Sequence, residues 1–381
     1  MDPLRLALPV LKAASPEAGG WRSGLVARGP ARAEGLLDRF GRAHTYLRIS
    51  VTERCNLRCQ YCMPEEGVQL LPRDHLLSYE EIERLAAVFV RLGVRKIRLT
   101  GGEPLVRRDI DHLVERLGKL KSAPDGKPRL ERLLLTTNGL LLERYLDRFL
   151  AAGLDGVNLS LDTLRPDRFR EMTHREGGED VARAIRAAAG SGLRSVKMNA
   201  VIMRGVNDDE LVDLCRAFAR DLPVDVRFIE YMPFEGNGWG DDKLFPAASI
   251  RAALEQELSL EPLGLDDGGA GVAQIYAATG RDGVRYRGHV GIISSMSEPF
   301  CDTCSRLRIT ADGHLRWCLF DEREVDLRGP LRAGATDADL AGLIERALGL
   351  KHPAHGSAEE LVTSQRAAGP AGARSMIRIG G

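Results

Sequence analysis

The chain has 381 residues and carries equal numbers of basic and acidic side chains, 54 Lys and Arg against 54 Asp and Glu. With this balance the molecule as a whole has no field that would attract nucleic acid or an acidic membrane, so any anion recognition must be local. No apolar run approaches the roughly 20 residues that span a bilayer, and the patch Leu6–Leu11 is broken by Pro9 and makes a poor secretory signal. We therefore expect a soluble, cytoplasmic protein with neither a membrane nor a nucleic-acid partner.

A steady alternation of strand and helix patterns follows a loose N-terminal extension. Residues 1–40 are rich in Ala, Gly, Pro and Arg and are predicted to form that extension. The predicted strands are Tyr46–Thr52, Lys96–Thr100, Arg132–Thr136, Gly156–Leu161, Ser195–Ile202 and Val226–Glu230, with helices at 79–92, 109–120, 141–151, 179–191 and 208–220. This alternation predicts a parallel α/β sheet over 41–245, and it fits an open doubly wound sheet and an incomplete barrel equally well.

The alternation stops near residue 246, which indicates a second, smaller unit. A predicted helix at 248–257 is followed by the Gly/Asp-rich stretch Gly264–Gly271, which we interpret as a loop. Short strand-like runs then occupy 273–277, 284–293, 306–310 and 314–319, and a further helix is predicted near 337–349. We therefore predict a C-terminal domain over 246–353 and a mobile tail over 354–381.

Three cysteines lie directly after the first predicted strand. Cys55, Cys59 and Cys62 have the spacing C-x3-C-x2-C, which lets one short loop wrap three sulfurs around three corners of an iron–sulfur cubane. Three thiolates are one ligand too few for a closed four-coordinate centre, so one position stays open for something else. A structural zinc is the alternative, but it would need a fourth Cys or His close by.

A second set of three cysteines lies in the C-terminal part. Cys301, Cys304 and Cys318 have the spacing C-x2-C-x13-C, and His314 could complete a zinc ribbon. Arg306 and Arg308 follow at alternate positions of a predicted strand, so both point to one face beside the cysteines. Their planar guanidinium groups match phosphate oxygens, which favours a site for a polyanionic ligand over a solvated edge strand.

The first triad, with Tyr61 before its third cysteine, resembles the signature of the radical S-adenosylmethionine superfamily. Gly101-Gly102-Glu103, after the next strand, is similar to the "GGE" element of that superfamily. Together with C-x2-C-x-R-L-R and the third downstream cysteine, the pattern resembles the GTP 3′,8-cyclases of molybdenum cofactor biosynthesis from about Tyr46 to the C-terminus. The resemblance implies an incomplete six-stranded (βα) barrel closed by a smaller α+β C-terminal domain. It also implies two [4Fe–4S] clusters, S-adenosylmethionine as cofactor and conversion of GTP to (8S)-3′,8-cyclo-7,8-dihydroguanosine 5′-triphosphate.

The resemblance also implies roles for individual residues. The six cysteines of the two triads would hold the clusters. Contacts to S-adenosylmethionine are implied for Tyr61, Gly101, Gly102, Glu103, Ser160 and Met232, and contacts to GTP for Arg48, Lys96, Arg98, Thr136, Lys197, Arg306, Leu307 and Arg308. Catalytic roles are implied for Arg227, Gly380 and Gly381, because in that family a double glycine ends a tail that reaches into the barrel. Charges such as Lys96, Arg98, Lys197 and Arg227 inside a barrel are costly unless they meet an anion, so we expect these four to face one triphosphate.

The expected partners are those of the same family: GTP, an electron donor such as flavodoxin or ferredoxin, and a downstream cyclic pyranopterin monophosphate synthase. The resemblance also allows a homodimer. Two alternatives compete with this hypothesis. A peptide maturase with auxiliary clusters would lack the paired arginines and generally carry more C-terminal cysteines, and a zinc-binding module would contain neither iron nor sulfide.

Overall fold

A computed structural model of the protein describes residues 35–64, 66–122, 129–266, 271–357, 359–363 and 376–380. In these ranges the strands are β1 Tyr46–Ser50, β2 Lys96–Thr100, β3 Arg132–Thr137, β4 Gly156–Ser160, β5 Ser195–Ile202, β6 Val224–Glu230, β7 Leu258–Leu265, β8 Gln274–Gly280, β9 Arg285–Ile293, β10 Arg306–Ile309, β11 His314–Arg316 and β12 Val325–Asp326. The helices are α1 Tyr79–Arg91, α2 Ile110–Gly118, α3 Leu146–Ala151, α4 Pro166–Thr173, α5 Gly178–Gly190, α6 Leu211–Phe218, α7 Ala247–Glu255, α8 Arg328–Arg332 and α9 Asp337–Leu348.

The first six strands form the parallel half of the fold in chain order. Each of β1 to β5 pairs in parallel with the next strand. Ile97 and Leu99 of β2 are fully buried in the hydrophobic core, whereas Arg98 between them lines a cavity on the other face. This two-residue alternation separates a core face from a cavity face within one strand. The six predicted strands are thereby confirmed, with small shifts at their ends.

The C-terminal segment extends the same sheet at both edges. The strand order is β12-β11-β10-β1-β2-β3-β4-β5-β6-β9-β8-β7, and the two end strands do not pair with each other. Strand β10 lies parallel to β1, and β9 lies parallel to β6. The sheet is therefore an incomplete barrel with added α+β strands, which confirms the predicted fold class. This one sheet contains strands from both sides of residue 245, so it does not mark a domain boundary there. The predicted domain limits therefore remain a prediction.

Four elements were not predicted: β7, α4 and the two short elements β12 and α8. Strand β7 covers residues 258–265 and includes part of the stretch interpreted as a loop, and helix α4 covers residues 166–173. Strand β7 is the last strand of the sheet, contains Pro262 and Gly264, and is mostly exposed. Proline and exposed polar positions are tolerated at a sheet edge, so the alternation that marks a half-buried strand is absent there.

The hydrophobic core lies between the barrel and the helices outside it. Helix α1 is capped by the preceding Ser78, which forms a capping box with Glu81, and it buries Leu85 and Phe89 completely. Cys215 is fully buried in the same core. Among the described residues, no helix is both long and apolar enough to cross a membrane.

Candidate active site

A cavity of about 650 Å³ lies on the inner face of the sheet. All six triad cysteines line it, together with Arg48, Arg98, Thr136, Lys197, Arg306, Arg308, Arg227, Tyr61, Gly101, Gly102, Glu103, Ser160 and Met232. This size is typical of a site that encloses small ligands. Residues from the barrel strands and from the C-terminal segment thus face one space.

The first triad lies in the loop after β1. The amide N of Leu57 donates to the Sγ of Cys55 at 3.4 Å, so backbone already approaches one sulfur. Burial raises the pKa of the Cys55 thiol to about 11 and that of Cys62 to about 12. Without a bound metal these thiols stay protonated. Binding of iron would displace their protons, so the cysteines of this loop would become thiolates only as a cluster forms.

The glycines after β2 allow the backbone of the loop after β1 to pack directly against them. A Cβ on Gly101 would lie 2.7 Å from the carbonyl O of Thr52, and a Cβ on Gly102 would meet the carbonyl O of Arg54. The Glu103 carboxylate accepts hydrogen bonds from the Asn138 N at 2.7 Å and from the Leu105 N at 2.9 Å. Its burial raises the pKa to about 7. The three sulfurs and this glycine pair line the same cavity, which fits a cluster with a bound cofactor.

Tyr61 and Asp162 form a buried pair at the first triad. The Tyr61 hydroxyl donates to Asp162 Oδ2 at 2.8 Å, and the Val201 N donates to Oδ1 at 2.8 Å. Burial raises the pKa of Asp162 to about 6. The pair fixes the ring of Tyr61, which packs with Cys62, and Ser160 and Met232 line the same cavity.

The second triad lies beside β10, the strand that pairs with β1 at the edge of the barrel. Burial alone would raise the pKa of the Cys304 thiol, but the positive charges of Arg306 and Lys351 outweigh it and lower the pKa to about 6. His314 Nδ1 lies 3.2 Å from Asp312 Oδ2, and this residue does not line the cavity. It therefore does not complete a zinc ribbon.

The arrangement of the cysteines also bears on the zinc alternative for both triads. In the described part of the chain, no group of three or more His, Cys, Asp or Glu side chains is placed to hold a metal ion. A single zinc needs its ligands gathered around one atom, whereas the three thiolates of a cubane bind three different irons and stand further apart. Each triad places three thiols at the cavity, which is the donor set that an iron–sulfur cluster would use.

Strand register brings basic side chains from three strands together. Arg48 of β1 pairs in register with Arg308 of β10 on one side and with Arg98 of β2 on the other. Burial, together with the nearby positive charges of Arg98 and Arg306, lowers the pKa of Arg48 to about 10. The Nε of Arg306 is buried without a hydrogen-bond partner among the described residues. Crowded, buried positive charge with an unpaired donor is the arrangement expected of an anion site.

The phenol of Tyr46 adds to this cluster from the same face of β1. Its oxygen accepts a hydrogen bond from Arg98 Nε. Burial would raise the pKa of Tyr46, but the charges of Arg98, Arg48 and Lys96 prevail and lower it to about 7. Lys96 itself does not line the cavity, and its Nζ lies 5.0 Å from the centre of the Tyr46 ring.

Lys197 and Arg227 are already paired with a carboxylate. Asp266, which follows β7, accepts from Lys197 Nζ and from Arg227 Nη1 through Oδ2, each at 3.1 Å. Its other oxygen accepts from the amides of Val272 and Ala273. The four cations expected to face one triphosphate are thus in different situations: Lys96 lies outside the cavity lining, and two others have an internal counter-ion.

The remaining predicted residues fall into three groups. Thr136 lines the cavity beside Arg98, whose Nη1 lies 3.4 Å from its hydroxyl. Leu307 is 1% exposed and belongs to the core, because it alternates with Arg306 and Arg308 along β10. Gly380 lies at the barrel, where its carbonyl O accepts from Arg48 Nη2 at 3.3 Å. Gly381 lies outside the described residues.

Sequence reasoning missed several residues of the site, chiefly Asp266, Tyr46, Arg42 and Lys351, all of which line the cavity. Asp266 lies in the stretch interpreted as a loop, and no spacing rule connects it to Lys197 or Arg227. Of these residues, Tyr46 could have been predicted, because it lies two positions before Arg48 in the same strand and therefore on the same face.

Two family models match successive parts of the chain. The radical SAM superfamily matches residues 49–218, and Molybdenum Cofactor Synthesis C matches residues 224–357. Among solved structures, Streptococcus suis SuiB bound to S-adenosylmethionine has a TM-score of 0.52 at 17% identity, covering 78% of this chain and 67% of that chain. The fold and the open triad after the first strand define a radical S-adenosylmethionine protein.

Sequence relatives narrow this class to one family. The chain is 46% identical to the mitochondrial GTP 3′,8-cyclase of Arabidopsis thaliana over 91% of this chain and 83% of that protein. It is 45% identical to the GTP 3′,8-cyclase of Moorella thermoacetica over 84% of this chain and 95% of that protein. It is also 49% identical to molybdenum cofactor biosynthesis protein 1 of Mus musculus, but it spans only 48% of that longer protein. The chain belongs to the GTP 3′,8-cyclase family.

Proposed function

We propose that the protein converts GTP to (8S)-3′,8-cyclo-7,8-dihydroguanosine 5′-triphosphate, the first step of molybdenum cofactor biosynthesis. The observation that carries this proposal is the single cavity lined by both cysteine triads and by the arginines between them. One end of this space suits radical generation and the other suits an anionic nucleotide. The family to which the chain belongs supports the same activity.

Two [4Fe–4S] clusters would be held by Cys55, Cys59 and Cys62 and by Cys301, Cys304 and Cys318. S-adenosylmethionine would lie beside Gly101 and Gly102 and contact Glu103, Tyr61, Ser160 and Met232. Bound there, a reduced cluster and this cofactor supply the 5′-deoxyadenosyl radical that can remove the hydrogen atom from C3′ of the GTP ribose. The protein's own task is then to hold C3′ close to guanine C8, where the new bond forms.

The arginines of β1, β2 and β10 would supply this positioning. Arg306 and Arg308 extend from the strand that follows Cys304, and strand register places Arg48 beside Arg308. Several charged donors from different strands restrict a polyanion to one orientation, which converts binding energy into proximity of the reacting atoms. Thr136 would add a neutral contact, and any contact with Leu307 would involve its backbone, since its side chain is in the core.

At the other end of the basic cluster, the triphosphate would take over the pairing now made by Asp266. Lys197 and Arg227 are both almost completely buried, at 8% and 5% exposed. A phosphate oxygen offers the same charge and the same acceptor geometry as the carboxylate. The substrate would therefore satisfy cations that the free protein neutralises internally, and Lys96 would take part only by moving from Tyr46 towards the cavity.

The C-terminal tail would support the same region. Ile377 and Ile379 are buried at 0% and 1% exposed, and the Gly380 carbonyl accepts from Arg48. Gly380 has a φ of +77°, and a Cβ there would lie 2.8 Å from Thr100 Oγ1. The glycine lets the chain end close against β1 and β2. Together with Gly381 and Arg227, it would hold the basic side chains in place during the reaction.

The wider context of the reaction follows from its chemistry. Radical generation needs single electrons, so the protein would use an electron donor such as flavodoxin or ferredoxin. It would work in the reducing environment of the cytoplasm. The cyclic nucleotide would be consumed by a cyclic pyranopterin monophosphate synthase, and the chain would act as a monomer or homodimer.

The decisive test uses anaerobically purified protein, reconstituted with iron and sulfide and incubated with dithionite, S-adenosylmethionine and GTP. We expect 5′-deoxyadenosine and the cyclic nucleotide in equal amounts, with neither formed when GTP is omitted. Cys55→Ser should abolish both products, and Cys318→Ser should abolish the nucleotide product. Cys215→Ala, in the core away from the cavity, is the matched control and should retain activity. Release of 5′-deoxyadenosine independent of GTP, or zinc in both triads, would refute the proposal.

A further inference from the structure

Two buried cations from outside the second triad contact the segments that carry its cysteines. Cys301 and Cys304 precede β10, whereas Cys318 follows β11, so the ligand set depends on two separate stretches of chain. Lys351 comes after α9, and Arg42 comes before β1. Neither residue belongs to the cysteine motif.

Lys351 bridges the two cysteine segments. Lys351 is only 3% exposed. Its Nζ lies 2.7 Å from the Trp317 carbonyl O, 3.4 Å from the Arg306 carbonyl O and 3.6 Å from the Cys304 Sγ. An ammonium group has three donors, and all three have an acceptor here. Trp317 immediately precedes Cys318, so one side chain ties that cysteine's segment to Cys304 and to the backbone of Arg306.

Arg42 contacts the segment of Cys301, the remaining cysteine of the second triad. Its Nη1 donates to the Cys301 carbonyl O at 2.8 Å and to the Pro353 carbonyl O at 2.6 Å, and its Nη2 donates to the His352 carbonyl O at 2.6 Å. Its Nε pairs with Asp38 Oδ2 at 2.6 Å, which fixes the guanidinium plane. Because residues 352 and 353 follow Lys351 directly, Arg42 also holds the backbone segment that carries Lys351.

We propose that Lys351 and Arg42 are positioning residues of the second triad, and that Lys351 also sets the reduction potential of the cluster it would hold. This inference rests on the proposed function, in which Cys301, Cys304 and Cys318 bind a [4Fe–4S] cluster. Groups that hydrogen-bond to the ligand segments and orient the ligands govern metal affinity, and hydrogen bonds and charge near the sulfurs govern the reduction potential. Reduction adds a negative charge, so a buried ammonium at one sulfur favours the reduced state.

The link extends to the substrate. Lys351 fixes the carbonyl of Arg306, whose guanidinium lies in the same cavity and would contact GTP. A single cation therefore connects the geometry of the cluster ligands with that of the nucleotide site. Loss of Lys351 should affect both together, whereas a change at Arg42 should affect the cysteine side more.

The test compares Lys351→Gln, which removes the charge, with Lys351→Arg, which keeps it. Each is made in the full-length chain and in a background with Cys55, Cys59 and Cys62 all changed to Ser, where only the second triad can hold a cluster. Iron and sulfide are counted, and the potential is measured by redox titration followed by electron paramagnetic resonance. Lys119→Gln, an exposed position at the end of α2, is the matched control.

We expect Lys351→Gln to shift the remaining cluster to a more negative potential, or to empty the second triad so that iron falls from about eight to about four per chain. Lys351→Arg should restore the potential, and Lys119→Gln should change nothing. An unchanged potential and iron content in Lys351→Gln would overturn the inference, as would equal damage in the Gln and Arg variants. If Lys351→Gln also loses the first cluster, Arg42→Gln and Arg42→Lys are compared by the same criteria. A second triad that binds no cluster in the unsubstituted chain would refute the proposed function itself.

Discussion

Replacing Asp266 by Asn should destabilise the free protein and yet tighten its binding of GTP. Oδ2 of Asp266 accepts from two buried cations, Lys197 and Arg227, at 3.1 Å each. Asparagine keeps the size of the side chain and removes the negative charge. The variant therefore leaves two positive charges without their internal counter-ion, which is the state that an incoming phosphate chain would relieve.

The magnitude follows from these distances. At 3.1 Å and an effective dielectric constant of about 20, each attraction amounts to roughly 5 kcal/mol before desolvation is subtracted. Removing one partner of a buried ion pair usually costs about 3–5 kcal/mol, and we expect a loss of about 3 kcal/mol in the free energy of unfolding. If about half of that loss is recovered when a triphosphate binds, GTP affinity rises by about tenfold.

Urea unfolding with and without inorganic tripolyphosphate measures the first effect, and calorimetric titration with GTP measures the second. Asp282→Asn is the matched control, because Asp282 pairs with Arg220 at the surface, at 2.7 Å with both side chains partly exposed. Such pairs contribute about 0–1 kcal/mol, so neither stability nor affinity should change much in that variant.

Weaker GTP binding by Asp266→Asn, at unchanged tripolyphosphate affinity, would refute the competition between carboxylate and phosphate. It would mean that the carboxylate orients Lys197 and Arg227 for the substrate and does not compete with it. Unchanged stability would contradict the premise that these cations depend on Asp266 in the free protein.

Three further outcomes are expected. Gly102→Ala should lose S-adenosylmethionine binding in a titration and cost about 1–3 kcal/mol in urea unfolding, because a Cβ there meets a backbone carbonyl; Gly190→Ala, with open space, should not. Combined Arg306→Ala and Arg308→Ala should weaken GTP binding by about 100-fold or more without loss of first-triad iron. Burial raises the pKa of Glu103 from 4.5 to about 7, so the folded, cofactor-free chain holds this proton more tightly than the unfolded chain and loses about 3 kcal/mol as pH rises through that range. Glu103→Gln should remove this slope, and an unaltered slope would contradict the assignment.

Much of the barrel could be predicted because its local patterns are strong. Strands β2 and β5 begin and end where the alternation of apolar residues predicts. Strand β7 could not be predicted, because an exposed edge strand with Pro262 and Gly264 lacks that pattern. The likeness of this chain to an established family resolved the choice between an open sheet and an incomplete barrel, which periodicity alone had left open.

The site was predictable where neighbours in sequence are also neighbours in space. The short-range features are the two cysteine triads, the glycine pair after β2 and the alternate arginines Arg306 and Arg308, and all of them line the cavity. Leu307, which was also predicted to contact the substrate, has its side chain in the core. The expectation that Lys96 lines the site with the other cations did not account for Tyr46, whose ring it faces.

The sequence by itself determined the ligand chemistry, since the spacing of cysteines in one loop already limits which centre they can bind. The tertiary structure decided which charges meet. Arg48 lies beside Arg308 only because β10 joins the free edge of β1, and Lys197 and Arg227 share Asp266 only because the segment after β7 returns to the barrel. Strand pairing and ion pairing over such separations depend on the packing of the whole chain, and no local pattern encodes them.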